Sequence, residues 1–164
     1  MDQMQVMLKD NSFEELKAEA VIQIIQKLGL NNFIDLSFPP QMSSIYNASL
    51  MAAYPLKCEV HWRRVQDFLG KGRLMKQEIE LFYQGIEPND VRQGSLGDCW
   101  FLCSLASLAE RPKLIENLFI TKKSNSEGVY RIRFCKNGEW VEVTIDDYIP
   151  CQPMSGPIFC NTHG

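Results

Sequence analysis

Apolar residues recur at helical spacing near the start of the chain, within residues 12–30. Ser12 and Glu15 form the capping-box pattern that opens many helices, and Gly29 stands where a helix usually ends. We therefore predict an amino-terminal helical segment over residues 1–30, with its main helix from Ser12 to Leu30. The residues predicted to form its buried face are Leu16, Val21, Ile24, Ile25 and Leu28.

A second and more apolar pattern follows Cys99. Gly94 and Gly97 interrupt the chain just before it, and residues 100–109 then contain almost no polar side chain. A helix that is apolar on nearly all sides is typical of a protein interior, so this segment is predicted to be a buried helix. Pro112 is tolerated in a first helical turn, and it predicts a second short helix over residues 112–119.

Residues 129–135 and 139–145 alternate apolar and polar side chains, which is the period of a strand. Lys136-Asn137-Gly138 supplies the turn between them, so a β-hairpin is predicted. The proline-containing stretch 31–56 is predicted to be irregular. The pattern of residues 61–86 does not distinguish short helices from coil. No further helix or strand is expected to close the fold after Ile145. The fold class predicted from these patterns is α+β.

Composition narrows the possible functions. A net charge of -3, without long blocks of either sign, gives no electrostatic footprint for nucleic acid or an anionic membrane. No apolar run approaches the ~20 residues of a transmembrane helix. The chain has six cysteines but no signal-peptide pattern at its start, which favours reduced thiols and a cytoplasmic location.

Cys99 is the candidate nucleophile, because it lies between a glycine-rich turn and the start of an apolar helix. The unsatisfied amides at a helix amino terminus favour the reactive thiolate over the thiol. Gln93 stands six residues upstream, where a turn could return its carboxamide to the sulfur. With the Cys99 backbone N–H it would form a two-donor oxyanion hole. The alternative is that Cys99 is a small buried side chain without chemistry.

Other residues allow further hypotheses. Cys99 and Cys103 share one helical face and could be bridged by a metal, although no CxxC pair or nearby histidine completes a zinc site. A redox or metal protein is therefore a third possibility.

Neither His61 nor His163 has a context that marks it as a general base. Asp90 lies in a loop where oxygens could converge on a hard cation, without an EF-hand pattern.

The run from Asp90 to Leu102 resembles the nucleophile motif of the calpain family, including the spacing from Gln93 to Cys99. The match is specific, and further landmarks that resemble those of calpains occur in the expected order along residues 33–150. The supporting landmarks are Phe38-Pro39-Pro40 with Ser43-Ser44, Trp62-Arg63, Gly138-Glu139-Trp140-Val141, and Ile145-Asp146-Asp147-Tyr148-Ile149-Pro150.

The resemblance implies a papain-like cysteine endopeptidase with two catalytic lobes. The first, helical lobe carries the nucleophile and the oxyanion glutamine, here Cys99 and Gln93, and the second carries a histidine and an asparagine. Residues 31–164 are expected to be an incomplete first lobe, truncated before the second, so this chain alone is expected to be inactive. The implied activity is limited proteolysis of intracellular proteins, with the second lobe and accessory domains as partners.

The resemblance also implies a calcium site in the first lobe, formed by the carbonyls of Tyr83 and Gly85 and the carboxylate of Asp90. An acidic residue later in the lobe normally completes such a site, but residues 159–164 contain none. No organic cofactor is expected. The alternative to a peptidase is a calpain-like module that binds a partner without catalysis.

Overall fold

The computed structural model describes residues 18–45, 59–69, 79–153 and 155–161. Helices and strands are mixed along these ranges, as the predicted α+β class requires. None of the described helices combines the length and the apolar character needed to cross a membrane. In chain order the elements are α1 Ala18–Lys27, α2 Met42–Ile45, β1 His61–Arg64, α3 Val65–Leu69, a 3₁₀ helix Pro88–Asp90, β2 Arg92–Gln93, α4 Cys99–Ala109, α5 Pro112–Leu118, β3 Tyr130–Lys136, β4 Glu139–Ile145, β5 Tyr148–Cys151 and β6 Cys160–Asn161.

The chain forms two compact units, and the first combines residues 18–39 with Leu118–Asp147. Its core contains one face of α1 together with two residues from loops. Because these apolar side chains leave water together, they supply the main driving force for folding of this unit. The buried residues of this core are Val21, Ile25, Phe33 and Val129.

The end of α1 confirms the predicted role of Gly29, which has φ +65°. The Leu30 N–H donates to the Ile25 carbonyl at 3.0 Å and the Gly29 N–H donates to Gln26 at 3.1 Å. This pair of hydrogen bonds is a Schellman motif, which requires a left-handed residue after the helix. Leu28 was predicted to be buried, but it is 56% exposed because the helical face ends at Lys27. The predicted cap, Ser12 with Glu15, lies outside the described residues.

The predicted hairpin is present as β3 and β4. The strands pair antiparallel, with a register that runs from Tyr130↔Ile145 to Lys136↔Glu139. Asn137 and Gly138 have φ values of 54° and 86°, as a two-residue type I′ turn requires. Local sequence chemistry is therefore sufficient to specify this element.

The second unit combines residues 40–117 with residues 148–164, within the described ranges. Here β1 pairs antiparallel with β5, so that His61 lies opposite Cys151. The Arg63 guanidinium donates hydrogen bonds to the carbonyls of Gln152 and Ser155, and these bonds connect β1 to the loop after β5. The prediction that no element follows Ile145 is wrong, because β5 and β6 both lie there. Each pairs with a segment distant in sequence, which local periodicity cannot reveal.

Helix α4 matches its predicted position, but its predicted burial is wrong. Of its residues only Ala109 is buried, whereas Trp100 is 72% exposed and Cys99 is also exposed. Within the described residues its neighbours are mainly the 3₁₀ helix and β2, which are too short to cover an apolar surface on all sides. The short helix predicted after it is confirmed as α5.

Candidate active site

A strand, a tight loop and a helix position the candidate nucleophile. Strand β2 pairs antiparallel with β6, which places Gln93 opposite Cys160. The pairing continues into the loop, since the Gly94 N–H donates to the Phe159 carbonyl at 2.9 Å and the Ser95 N–H donates to Ile158 at 3.0 Å. The backbone that precedes Cys99 is thus held by a ladder of hydrogen bonds.

Gly94 is required at this position by close packing of two backbones. A Cβ atom built on Gly94 would lie 2.1 Å from the Ile158 carbonyl oxygen and 2.7 Å from the Phe159 carbonyl carbon. Both neighbours are backbone atoms that belong to the paired segment, so neither can move without breaking the ladder. The sequence pattern marked Gly94 as an interruption of the chain but did not reveal this contact, because its partners, Ile158 and Phe159, are distant in sequence.

Cys99 is the first residue of α4, and its thiol is exposed. The Asp98 carbonyl accepts the N–H groups of Phe101 and Leu102, at 2.9 and 3.1 Å, and so closes the first turn. The first amides of a helix have no carbonyl partner within the helix and give this end a partial positive charge. Cys99 is exposed, unlike the buried cysteine of the alternative interpretation, and its role as a nucleophile stays a prediction.

Gln93 is exposed at the end of β2. Its Nε2 donates to the Leu96 carbonyl at 2.7 Å, a contact within the loop that leads to Cys99. A carboxamide has two donor hydrogens, so this bond orients the group and leaves the second hydrogen for another acceptor. The role of Gln93 in an oxyanion hole stays a prediction.

Cys160 is a neighbour of the site that sequence analysis missed. Partial burial raises the pKa of its thiol, the negative charge of Asp98 raises it further, and a hydrogen bond with the Arg92 backbone lowers it. The buried Oδ1 of Asp98 accepts no hydrogen bond from the described residues. Cys160 and Asp98 are distant in sequence, and only the β2–β6 pairing brings them together. The Cys160 thiol is accordingly held in its neutral form beside a carboxylate.

The loop predicted to bind calcium contains two residues with positive φ, Gln84 at 58° and Gly85 at 105°. The Glu87 N–H donates to Asp90 Oδ2 at 2.8 Å, and the Asp90 N–H donates to the Glu87 backbone carbonyl at 3.0 Å. This reciprocal pair caps the 3₁₀ helix. The Asp90 carboxylate is thus partly engaged, whereas calcium takes about six to eight oxygen ligands.

Among the described residues, acidic side chains do not gather around that loop as a metal site. Across the ranges that the structure describes, no group of three or more His, Cys, Asp and Glu side chains could hold a metal ion. The predicted ligands at Tyr83, Gly85 and Asp90 supply three oxygens where calcium takes about six to eight, and calcium binding stays a prediction.

Of the two histidines in the chain, His61 lies within the described residues. His61 lies on β1 with its side chain 46% exposed, and its Nε2 is 3.1 Å from a carboxylate oxygen of Glu59. The His61 side chain therefore lies at the surface beside a carboxylate. His163 lies outside the described residues.

Comparisons with known proteins cover most of the chain. The profile described as "Calpain family cysteine protease" matches residues 33–163. The chain is 37% identical to "Calpain-type cysteine protease ADL1" of Oryza sativa subsp. japonica over 143 residues, which is 87% of this chain and 6% of that relative. It is 38% identical to "Calpain-type cysteine protease DEK1" of Arabidopsis thaliana over 143 residues, 87% of this chain and 7% of the relative.

An animal relative gives the same result. The chain is 35% identical to "Calpain-13" of Rattus norvegicus over 133 residues, which is 80% of this chain and 18% of the relative. The chain thus spans only a small part of the length of these curated relatives. The matched range contains the whole strand, loop and helix that carry Cys99. The chain belongs to the calpain family of cysteine proteases.

Proposed function

We propose that this chain is part of the first lobe of a papain-like calpain endopeptidase, in which Cys99 is the nucleophile and Gln93 is an oxyanion donor. The observation that carries the proposal is the exposed Cys99 thiol at the amino terminus of α4, inside a calpain motif. A thiol that serves only for packing has no need of solvent access. A nucleophile must reach a peptide carbonyl.

The proposed reaction begins with attack of the Cys99 thiolate on the carbonyl carbon of a peptide bond. Negative charge then develops on the carbonyl oxygen, where the Gln93 amide and the Cys99 backbone N–H would donate hydrogen bonds. Loss of the amine leaves an acyl-enzyme, which water hydrolyses to restore the thiol. A histidine that moves the proton in both halves, oriented by an asparagine, would come from the second lobe.

Intracellular proteins are the proposed substrates, cleaved at a limited number of positions. Among the described cysteines no disulfide is formed, which supports a reducing compartment such as the cytosol. The second lobe and further domains are proposed on the basis that the chain spans 6% and 18% of the rice and rat relatives.

A peptidyl electrophile tests the nucleophile directly. A peptidyl vinyl sulfone should label the wild-type chain at Cys99 at least about tenfold faster than at Cys135, an exposed thiol that lies within strand β3 and not at a helix amino terminus. Labelling is measured by peptide mapping after short exposures. Cys99→Ser should remove the fast phase and Cys135→Ser should leave it unchanged.

A calpain-like module that binds a partner without catalysis is the second candidate. The exposed apolar surface of α4, with Trp100 as its largest part, is the observation that favours it. Equal labelling rates at Cys99 and Cys135 would support this candidate and contradict the peptidase proposal.

A further inference from the structure

Helix α4 carries two cysteines, Cys99 and Cys103, and the thiols of both are exposed. The helix is regular along this stretch, since Ser104 Oγ donates to the Trp100 carbonyl at 2.9 Å and Ser107 Oγ donates to the Cys103 carbonyl at 2.8 Å. Residues four apart in a helix lie on the same face, with Cβ atoms about 5–6 Å apart. The two thiols therefore form an exposed pair on one surface.

This separation decides which chemistry the pair can perform. A disulfide needs Cβ atoms about 3.5–4.5 Å apart, so Cys99 and Cys103 cannot be joined directly unless α4 unwinds. A bridging atom relaxes that requirement. A metal such as zinc lies about 2.3 Å from each sulfur, and an atom with similar bonds can span sulfurs up to about 4.6 Å apart. An intact helix thus permits a bridge and opposes a disulfide.

The number of ligands decides which bridging atom fits. A structural zinc site needs four protein ligands, and the described residues offer no group of three or more His, Cys, Asp and Glu side chains suited to a metal. Soft acceptors prefer thiolates, and a monosubstituted trivalent arsenical requires only two of them. The exposed pair matches an acceptor of this kind.

We propose that Cys99 and Cys103 form a two-thiol binding site for thiophilic acceptors with two open positions, represented by monosubstituted trivalent arsenicals. An arsenoxide and the two thiols form two As–S bonds. The arsenic–oxygen bond breaks, both thiol protons leave with the oxygen as one water molecule, and arsenic stays trivalent throughout. Blockage of the nucleophile by this adduct rests on the proposed function, whereas formation of the adduct does not.

Phenylarsine oxide added to the full chain tests the site. Intact-mass spectrometry should show one adduct at stoichiometric reagent, and alkylation followed by peptide mapping should show Cys99 and Cys103 protected together. A dithiol such as ethanedithiol should release the adduct, whereas a monothiol at equal thiol concentration should release it at least about tenfold more slowly. The dithiol forms a chelate of its own with arsenic, whereas a monothiol replaces one As–S bond at a time and the released protein thiol can rebind before the second bond breaks.

Two variants make the test specific to helical spacing. Cys103→Ser should remove the resistance to monothiol, while Cys135→Ser should leave the result unchanged. The double variant Cys103→Ser with Ser104→Cys keeps the number of thiols but turns the second one to another side of α4, and it should also lose resistance. Retention of the resistant adduct in both variants that lack Cys103, or protection of Cys99 alone in the wild type, would overturn the proposal.

Each outcome separates the binding site from the catalytic role. Paired protection with equal vinyl sulfone labelling at all exposed thiols would support the two-thiol site and contradict the peptidase proposal. Fast labelling of Cys99 without paired protection would do the reverse. Circular dichroism of each variant confirms that α4 remains folded.

Discussion

Helices α1 and α4 show that apolar composition and burial are different properties. Helix α1 has polar residues on one side, yet Val21 and Ile25 are 0% and 1% exposed. Helix α4 is apolar over most of its length, yet Trp100 is 72% exposed. The difference is a partner: α1 packs against Phe33 and Val129, whereas α4 has mainly short neighbours among the described residues. A side chain is buried only where another surface meets it.

The two regions are consequently held in place by different interactions. Around α1, apolar side chains exclude water from a common core. Before α4, the backbone of Gly94 and Ser95 is hydrogen-bonded to the segment that leads into β6. Hydrogen bonds and close backbone contact fix the position of a nucleophile while leaving its side chain accessible. This arrangement suits the proposed chemistry of Cys99.

The largest expected effect tests the core at α1. Ile25→Ala should lower the free energy of unfolding by about 2–5 kcal/mol, because it removes buried methyl groups and leaves a cavity. Leu28→Ala is the matched control, since Leu28 belongs to the turn that follows the same helix and is 56% exposed. Urea denaturation followed by circular dichroism measures both. Equal decreases in the free energy of unfolding for the two variants would contradict the burial of Ile25 and the exposure of Leu28.

The sequence predicts features that depend on neighbouring residues. The bounds of α4, the end of α1 at Gly29 and the β3–β4 hairpin follow from local periodicity, glycine conformation and turn chemistry. The β1–β5 and β2–β6 pairs were not predicted, because each joins segments from opposite ends of the second unit. The exposure of α4 was also missed, since periodicity describes a surface and not what covers it.

The candidate site was predictable to a similar extent. Cys99 and Gln93 were identified as candidates because they belong to one short motif, and Cys99 lies on the predicted helix. Cys160 was not found as a neighbour, because only long-range strand pairing brings it opposite Gln93. The contact that requires glycine at position 94 depends on the same pairing.

The second prediction tests whether the backbone contact at Gly94 holds the segment that precedes Cys99. Gly94→Ala should lower the free energy of unfolding by about 1–3 kcal/mol, because its Cβ would overlap the Ile158 carbonyl oxygen and force the strands apart. Gly97→Ala is the control, since a Cβ there meets nothing within 4 Å. Denaturation measures stability, and amide hydrogen exchange at Ser95 reports the pairing. Unchanged exchange in Gly94→Ala would show that the ladder does not depend on this contact.

The third prediction is a smaller, pH-dependent effect at the same pairing. Because burial and Asp98 raise the pKa of Cys160, the folded state keeps this proton at a pH where the unfolded chain has lost it. The resulting stabilisation is complete below the pKa of the unfolded thiol and is lost as pH rises through the folded pKa. Stability should therefore fall less steeply above pH ~9 in Cys160→Ser than in the wild type. Parallel denaturation profiles from pH 7 to 10 would contradict this assignment.

The smallest effect is expected at the most exposed aromatic side chain of α4. If Trp100 were buried, Trp100→Ala would lower the free energy of unfolding by about 3–5 kcal/mol. A substitution at an exposed position usually changes it by no more than about 0.5 kcal/mol. The Trp100 ring contacts Phe101, with ring centroids 5.8 Å apart, and this edge contact between adjacent residues contributes little to the fold. We expect the smaller value in urea denaturation. A loss above 2 kcal/mol would mean that α4 is packed like α1, and accessibility of the Cys99 thiol would then have to arise from the helix terminus alone.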